Sequence, residues 1–267
     1  MAIRSQWRAW LCLAAILGVI VFCAWHSKAR AEPSPTPVPF EVALAPLDKA
    51  LDLPPAPSTG APFGLAQTAP AAAPAQAMTA KWKSLQSIIA IETRLMASCR
   101  AMPEVCAPST ARFLAIVDAA RVENGRARAG LINRAINLAI RPARDNALFG
   151  VADVWQSPLM TFASGSGDCE DYAIAKYVAL REAGLSTDDV RLVIVRDDAL
   201  GEEHAVTAAR IDGEWLILDN RKMVLLTDAQ AADLKPLIAL GDDAPKPVFI
   251  RDAGLDGWLV ATMATPG

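Results

Sequence analysis

Three residue types that act together in covalent acyl chemistry lie in the second half of the chain: Cys169, His204 and Asp219. A thiolate can attack a carbonyl, an imidazole can take and return the proton, and a carboxylate can hold the imidazole in the required tautomer. Taken singly, a cysteine at a helix start or a histidine on a strand is more often an ordinary buried residue. The other histidine, His26, lies in the N-terminal leader, so His204 is the one imidazole of the remaining chain.

The dipeptide Asp212-Gly213 relates His204 to Asp219. It separates two strand-like runs, 204–211 and 214–220, and predicts a two-residue hairpin because such a turn needs positive φ at both positions. With this loop, His204 and Asp219 become diagonal neighbours on one face of the hairpin, about 7 to 8 Å apart at the backbone. The turn therefore predicts a hydrogen bond between the imidazole and the carboxylate.

Cys169 begins a predicted helix that runs to Ala183. The run 165–167 is a turn, Asp168 is a suitable N-cap, and Gly184 is the expected left-handed terminator. Cys169 heads the inward apolar stripe of this helix, and the helix dipole favours a thiolate at that end. If the N-terminus of the helix packs against the hairpin, the thiol, the imidazole and the carboxylate converge.

Three acids surround the thiol: Asp168, Glu170 and Asp171. Their negative charge should raise the pKa of Cys169 and oppose the thiolate. A hard cation with oxygen ligands would neutralise them, and outside the cell Ca²⁺ is the natural choice. Alternatively, they are ordinary N-terminal acids stabilised by the helix dipole. Zinc is disfavoured because no two thiols or imidazoles stand at ligand spacing.

The first residues of the chain predict export. Arg4 and Arg8 precede the apolar run 10–25, and the run 29–31 has the small-x-small pattern of a signal-peptidase site. Residues 1–31 are therefore a signal peptide or an uncleaved inner-membrane anchor, since the run is close to the roughly 20 residues of a span. In either case the remainder of the chain faces the periplasm or the exterior.

Composition divides the remainder into two parts. Residues 32–80 are rich in Pro and Ala and predict a disordered linker, and residues 81–267 predict the folded domain. The whole chain is 53% hydrophobic and 21% charged, which is typical of a globular protein with one sizeable core. A net charge of -3 gives no basic surface for nucleic acid, so we expect no nucleic-acid partner.

Two of the five cysteines lie in the leader, which leaves Cys99, Cys106 and Cys169. On a continuous helix, Cys99 and Cys106 would be about 10.5 Å apart along the axis, too far to bridge. Pro103 should break the helix and allow a disulfide, which suits an oxidising compartment. Two buried free thiols are the alternative.

Apolar periodicity predicts the other elements: helices over 82–97, 110–120 and 227–238, a strand over 191–195, and weak apolar runs over 247–250 and 258–263. Ile132, Ile136 and Ile140 recur four apart and predict a further helix, which Pro142 stops.

The run GDCEDYAIAKY over 167–177, His204-Ala205-Val206 and Leu218-Asp219-Asn220 resemble the bacterial transglutaminase-like cysteine proteinases. The run 153–158 and the asparagines Asn133 and Asn137 also look like that family, so the resemblance covers most of residues 82–226. It implies an α+β fold with a papain-like, transglutaminase-like core, in which N-terminal helices and the nucleophile helix pack on an antiparallel sheet.

The resemblance also implies roles for the residues singled out above. Cys169, His204 and Asp219 fall on the family's catalytic triad, and Asp168 and Glu170, with Asp171 as a further candidate, fall on its calcium ligands. Characterised members cut a large surface adhesin near its N-terminus at a di-alanine site. They are sequestered by an inner-membrane cyclic-di-GMP receptor, which implies a protein substrate and such a receptor as partners here.

The resemblance leaves three functions to compare. The first is an exported, calcium-dependent cysteine endopeptidase, and the second is an acyl transferase that passes the same acyl group to an amine. The third is a binding module with a silent site, which the intact triad disfavours. For the oxyanion, the backbone N–H of Cys169 is one expected donor and Trp155 is a candidate for the second.

Overall fold

Helices form the first half of the fold and strands the second. The computed structural model describes residues 60–65, 73–151, 153–242 and 249–250, with backbone only for 73–75 and 249–250. The described helices are α1 (Ala73–Ala101), α2 (Pro108–Arg121), α3 (Gly125–Ala139), α4 (Asp145–Phe149), α5 (Pro158–Ser164) and α6 (Cys169–Glu182). None of the helices in these ranges is long and apolar enough to cross a membrane.

The strands form two sheets in the described part of the chain. Their bounds are β1 (Arg141–Pro142), β2 (Ser166–Gly167), β3 (Val190–Asp197), β4 (Glu202–Ile211), β5 (Glu214–Leu218), β6 (Leu226–Thr227), β7 (Leu234–Leu240) and β8 (Phe249–Ile250). Strands β1 and β2 form a short parallel pair, and the other six form an antiparallel sheet in the order β6-β5-β4-β3-β7-β8. The predicted α+β class, with helices on an antiparallel sheet, is confirmed.

Helix α6 is the centre of the main core. Every residue from 171 to 180 is buried, so the helix is enclosed on all sides rather than along one stripe. It packs on β4, where the Thr207 hydroxyl donates to the carbonyl of Ala173 at 2.6 Å, and helices α2, α3 and α5 cover its other sides. The predicted N-cap at Asp168 and the left-handed Gly184, with φ of 101°, are present. A helix held this firmly gives Cys169 a fixed position.

The β4–β5 hairpin has the predicted turn and register. Asp212 and Gly213 have φ of 52° and 81°, and the Cα partners run from Ile211 with Glu214 to Thr207 with Leu218. Short-range turn chemistry therefore sets the relation between the two strands.

The cysteines of the helical half form the predicted bridge. Helix α1 ends at Ala101, and a single turn over Pro103–Val105 folds the chain back. Cys99 and Cys106 then form a disulfide with their Cα atoms 4.9 Å apart, which leaves Cys169 as the free thiol of the described residues.

The predicted start of the domain near Lys81 is too late. Helix α1 already begins at Ala73, with a proline in its first turn, where proline is tolerated. The segment Gly60–Leu65 packs on the sheet face opposite α6, where the Trp215 indole donates to the Gly60 carbonyl at 3.0 Å. Composition alone could not reveal this tertiary contact. The leader and the remainder of the predicted linker lie outside the described residues.

The predicted helix over 227–238 is wrong. After a turn, the chain instead forms β7, which pairs with β3 and shifts register between Ile194 and Val195. Pro236 lies at this irregularity, where a proline without an N–H is tolerated in a strand and would break a helix. The apolar run 247–250 contains β8, and the run 258–263 lies outside the described residues.

Candidate active site

His204 and Asp219 form the buried centre of the site. His204 lies near the start of β4 and is 1% exposed, and Asp219 directly follows β5 and is 3% exposed. The Nε2 atom of His204 lies 2.8 Å from Oδ1 of Asp219, the hydrogen bond that the hairpin register predicts. Burial raises the pKa of Asp219, but the hydrogen bond and charge of His204 outweigh it and hold that pKa below its usual value.

The turn that carries Asp219 is tied to helix α3. The Arg221 N–H donates to Asp219 Oδ1 at 2.9 Å, and the Asn137 side chain donates to the Asp219 carbonyl at 3.0 Å. Asn133, one turn earlier on α3, donates to the Lys222 carbonyl at 2.8 Å. These contacts fix the carboxylate and the backbone of Asp219, so the hydrogen-bond acceptor of His204 is held in one position.

The Cys169 thiol meets the same end of β4. The backbone N–H of Ala205, the residue after His204, approaches the Cys169 sulfur. Thr207 of β4 hydrogen-bonds the body of α6 at Ala173. The thiol therefore meets the hairpin at the N-terminal end of α6. His204 Nδ1 is buried and has no hydrogen-bond partner among the described residues. The imidazole can therefore bond Asp219 through one nitrogen and accept a proton at the other.

The acids beside the thiol have the expected electrostatic effect. Burial, and then the charge of Glu170, raise the pKa of Cys169 well above its usual range. The Cys169 thiol donates to Glu170 Oε2 at 3.2 Å. Neutralisation of the acidic charge would therefore favour the thiolate.

An acidic group suited to a cation lies beside Cys169. Asp145, Asp168 and Glu170 each offer one carboxylate oxygen, and the three atoms lie within 4.8 Å of one another. Oδ1 of Asp145 and Oδ1 of Asp168 are buried without a hydrogen-bond partner in the described part of the chain. Burial, and then the charge of Asp168, raise the pKa of Glu170 to about 9. Three crowded oxygen donors with unsatisfied atoms fit a hard divalent cation such as Ca²⁺.

Asp171 lies outside this group, unlike the other two predicted ligands. Its Oδ1 accepts the Gln156 backbone N–H at 2.8 Å, and its Oδ2 accepts the Gln156 side chain at 2.6 Å and the Asp168 N–H at 3.3 Å. A methyl group at Gly167 would lie 2.5 Å from Asp171 Oδ2, so glycine is needed there. Burial raises the pKa of Asp171 to about 7. Asp171 therefore anchors the helix start.

Asp145 is the member of the acidic group that the sequence did not reveal. It begins helix α4, is 1% exposed, and accepts the Val154 backbone N–H. The β1–β2 pair carries it to the nucleophile helix, with the Ala143 N–H donating to the Gly167 carbonyl at 2.9 Å. No local spacing marks such a residue, since its place depends on this parallel pairing.

Trp155 packs beside the site. Its ring lies edge-on to Trp82, with centroids 6.5 Å apart, and the Lys81 ammonium stands 4.9 Å from its centroid. These contacts explain its half-buried position by packing, and its role as an oxyanion donor stays a prediction.

Comparison with known proteins gives a family match. The model of the bacterial transglutaminase-like cysteine proteinases (BTLCP) matches residues 85–232. No curated protein matches the chain.

Solved structures of Legionella pneumophila LapG are similar to the chain at low identity. LapG is 22% identical, over 62% of this chain and 91% of that chain, with a TM-score of 0.49. Its calcium-bound form is 22% identical over 62% and 96%, with a TM-score of 0.49, and its EGTA-treated form is 23% identical over 60% and 85%, with a TM-score of 0.48.

The family assignment rests on the sequence match, which spans more than half of the chain. The matched residues contain Asp145, the acids beside the thiol, and Cys169, His204 and Asp219. The chain belongs to the bacterial transglutaminase-like cysteine proteinase family.

Proposed function

We propose that this chain is an exported, calcium-dependent cysteine endopeptidase with Cys169 as nucleophile, His204 as general base and Asp219 as the group that orients His204. The observation that carries the proposal is the buried 2.8 Å contact between His204 Nε2 and Asp219 Oδ1, which leaves His204 Nδ1 without a hydrogen-bond partner in the described part of the chain. Family membership supports the same chemistry.

The proposed reaction has two halves that share an acyl-enzyme. His204 Nδ1 takes the Cys169 proton, the thiolate attacks the scissile carbonyl, and the backbone N–H of Cys169 donates to the oxyanion. His204 then gives its proton to the leaving amine as the C–N bond breaks. In the second half, His204 takes a proton from water, the hydroxide attacks the thioester, and the Cys169 sulfur leaves and regains the proton. Asp219 stabilises the imidazolium in both halves.

Asp145, Asp168 and Glu170 would hold the calcium ion. Their crowded oxygens, two of them buried without partners, support this assignment. When bound, calcium would neutralise the carboxylate charge that keeps the Cys169 thiol protonated. Asp171, with three hydrogen bonds of its own, would continue to anchor the start of α6.

Substrate, partner and location are proposed from the family resemblance and from the leader pattern. The substrate would be a large surface adhesin cut at a di-alanine site, and the partner an inner-membrane cyclic-di-GMP receptor. Residues 1–31 would direct the chain to the periplasm, either as a cleaved peptide or as an anchor.

Cleavage of an adhesin fragment tests the proposal. The full chain and its Cys169→Ala variant are incubated with an N-terminal adhesin fragment that contains a di-alanine site, in calcium or in EGTA. We expect cleavage only by the wild type in calcium, and none when the di-alanine site is replaced. Cleavage by Cys169→Ala would overturn the choice of nucleophile. Transfer to an added primary amine in preference to water would instead indicate an acyl transferase.

A further inference from the structure

Lys176 is a buried cation that the proposed reaction does not use. It lies in the middle of α6 and is 0% exposed, and its Nζ has no hydrogen-bond partner in the described part of the chain. Lysine is rarely buried completely unless it is paired, since an ammonium loses its hydration there. The cost of this position suggests that the charge has a use.

The negative charge of Asp219 stabilises the Lys176 ammonium and so raises the pKa of Lys176. The other ionisable group beside the ammonium is Tyr172, whose ring centroid lies 5.8 Å from Nζ and whose hydroxyl donates to the Ile140 carbonyl. Asp219 is also hydrogen-bonded to His204. The Asp219 carboxylate thus interacts with two groups that can be positively charged.

Among the described residues, the buried faces of α2, α3, α5, β3 and β4 that pack on α6 add no further ionisable side chain. Elsewhere on α6, Asp145 lies near Glu170, Asp242 accepts hydrogen bonds from Tyr177 and Arg181, and Arg100 donates to Glu182. The buried side chains on the faces of α2, α3, α5, β3 and β4 that pack on α6 are apolar or uncharged, such as Phe113, Ile136, Phe162, Leu192 and Thr207. Lys176 and Asp219 therefore interact in surroundings of low polarity, where charges act strongly over distance.

Cys169 and Lys176 are seven residues apart on α6, close to two full turns, so both lie on one side of the helix. The same helix that presents the nucleophile therefore carries a cation toward the carboxylate of the proposed triad.

We propose that Lys176 is a positioning residue whose ammonium compensates the buried charge of Asp219, keeps that carboxylate ionised, and thereby holds His204 ready to take the Cys169 proton. This inference rests on the proposed function of Cys169, His204 and Asp219. Without the cation, a buried Asp219 beside a neutral imidazole would take up a proton more readily and lose its hold on His204.

The expected pH range follows from the burial of Lys176. Burial lowers its pKa to about 7, although the charge of Asp219 opposes that shift. The ammonium is therefore present below about pH 7 and is lost above it. An effect of Lys176 should appear in the acidic range and vanish in the alkaline range.

Alkylation of Cys169 tests the inference without a peptide substrate. The full chain, with saturating calcium, is treated with iodoacetamide from about pH 5 to about pH 9, and modification is read by mass spectrometry on the Cys169 peptide. We expect Lys176→Met to react several-fold more slowly than wild type below about pH 7 and equally fast above about pH 8. Lys176→Gln should behave like Lys176→Met, and Lys176→Arg, which keeps the charge, should follow wild type.

Thermal unfolding separates this role from a structural one. Lys176→Met leaves the Asp219 charge uncompensated, so any fall in Tm should be confined to the acidic range, where the ammonium is present, and should vanish above about pH 8. Lys83→Met removes an exposed lysine of α1 and should change neither measurement. A lower Tm at every pH with an unmoved alkylation profile would show that Lys176 is only structural.

Alkylation of Cys169 distinguishes failure of the proposed function from failure of the inference about Lys176. A wild-type Cys169 that stays unreactive at every pH, in calcium, would contradict the proposed function itself. A reactive wild type whose pH profile is shared by Lys176→Met and Lys176→Gln would overturn the inference about Lys176 alone.

Discussion

The Cys169 thiol donates its hydrogen to Oε2 of the adjacent Glu170 at 3.2 Å, while His204 Nδ1 has no hydrogen-bond partner among the described residues. The thiol hydrogen is thus directed at Glu170 and not at the proposed base. Because Glu170 also belongs to the acidic group, the residue that holds the thiol proton is one that a cation would engage. In the proposed function, this relationship would link calcium binding to activation of the thiol.

Replacing Glu170 by glutamine should activate Cys169 in the absence of calcium. Above about pH 9, where the Glu170 carboxylate is ionised, the substitution removes the nearest negative charge, so we expect alkylation by iodoacetamide in EGTA to be at least about tenfold faster than in wild type. Calcium should then accelerate the reaction little further. Glu104→Gln, at an exposed position, is the control. An unchanged or slower rate in EGTA would contradict the restraining role of Glu170.

Replacing Asp145 by asparagine should weaken calcium binding. Calcium should raise the Tm of the wild type because it binds the folded state, and loss of one charged oxygen donor should lower the affinity about tenfold or more. Calorimetric titration measures the affinity directly. Asp233→Asn, which changes an exposed acid, should bind like wild type. Equal affinity in Asp145→Asn would remove Asp145 from the proposed site.

Replacing Asp219 by asparagine should slow catalysis with little change in KM. The amide can still accept the Arg221 N–H but no longer stabilises an imidazolium, so we expect kcat to fall about 10³-fold or more. Steady-state kinetics on a di-alanine peptide, with circular dichroism to confirm folding, measure this change. A kcat within a few-fold of wild type would exclude Asp219 from the triad.

The calcium-free protein should lose stability as pH rises. Burial raises the pKa of Asp171 to about 7 and that of Glu170 to about 9, above their values in the unfolded chain. The folded state therefore holds protons that the unfolded chain has released, so stability is fully present below about pH 4 and falls as pH rises through these values. Tm measured in EGTA should fall over this range, and calcium should reduce the slope. A pH-independent Tm in EGTA would contradict the predicted protonation.

Removing the disulfide should affect stability without affecting the thiol. Cys106→Ser opens a short loop, and we expect a loss of about 2 kcal/mol in the free energy of unfolding. Denaturant unfolding measures that loss, and alkylation of Cys169 should keep its rate. A changed Cys169 rate would indicate coupling between the bridge and the site.

Local signals were sufficient to predict the part of the site that depends on short-range structure. Asp212 and Gly213 specify a turn that few residue pairs adopt, and this turn alone placed His204 beside Asp219. Asp168 and Gly184 likewise specified the ends of α6. Each of these features is decided within a few residues of the chain.

Features that depend on distant contacts were missed. Asp145 joins the acidic group because β1 pairs with β2, and Gly60–Leu65 is held by the sheet through Trp215. The run around Pro236 has helix-like apolar spacing, but pairing with β3 makes it a strand. In these cases tertiary contacts determine the position or the secondary structure of the residues, and local sequence propensity does not predict it.

Detection of the acyl-enzyme tests the central claim most directly. The full chain in calcium is mixed with a di-alanine peptide, quenched rapidly in acid, and digested for mass spectrometry. We predict that the N-terminal product is joined as a thioester to Cys169, and that the adduct is absent in EGTA and in Cys169→Ala. Peptide cleavage with no adduct on Cys169, or with the acyl group on another residue, would contradict the assignment of Cys169 as the calcium-dependent nucleophile.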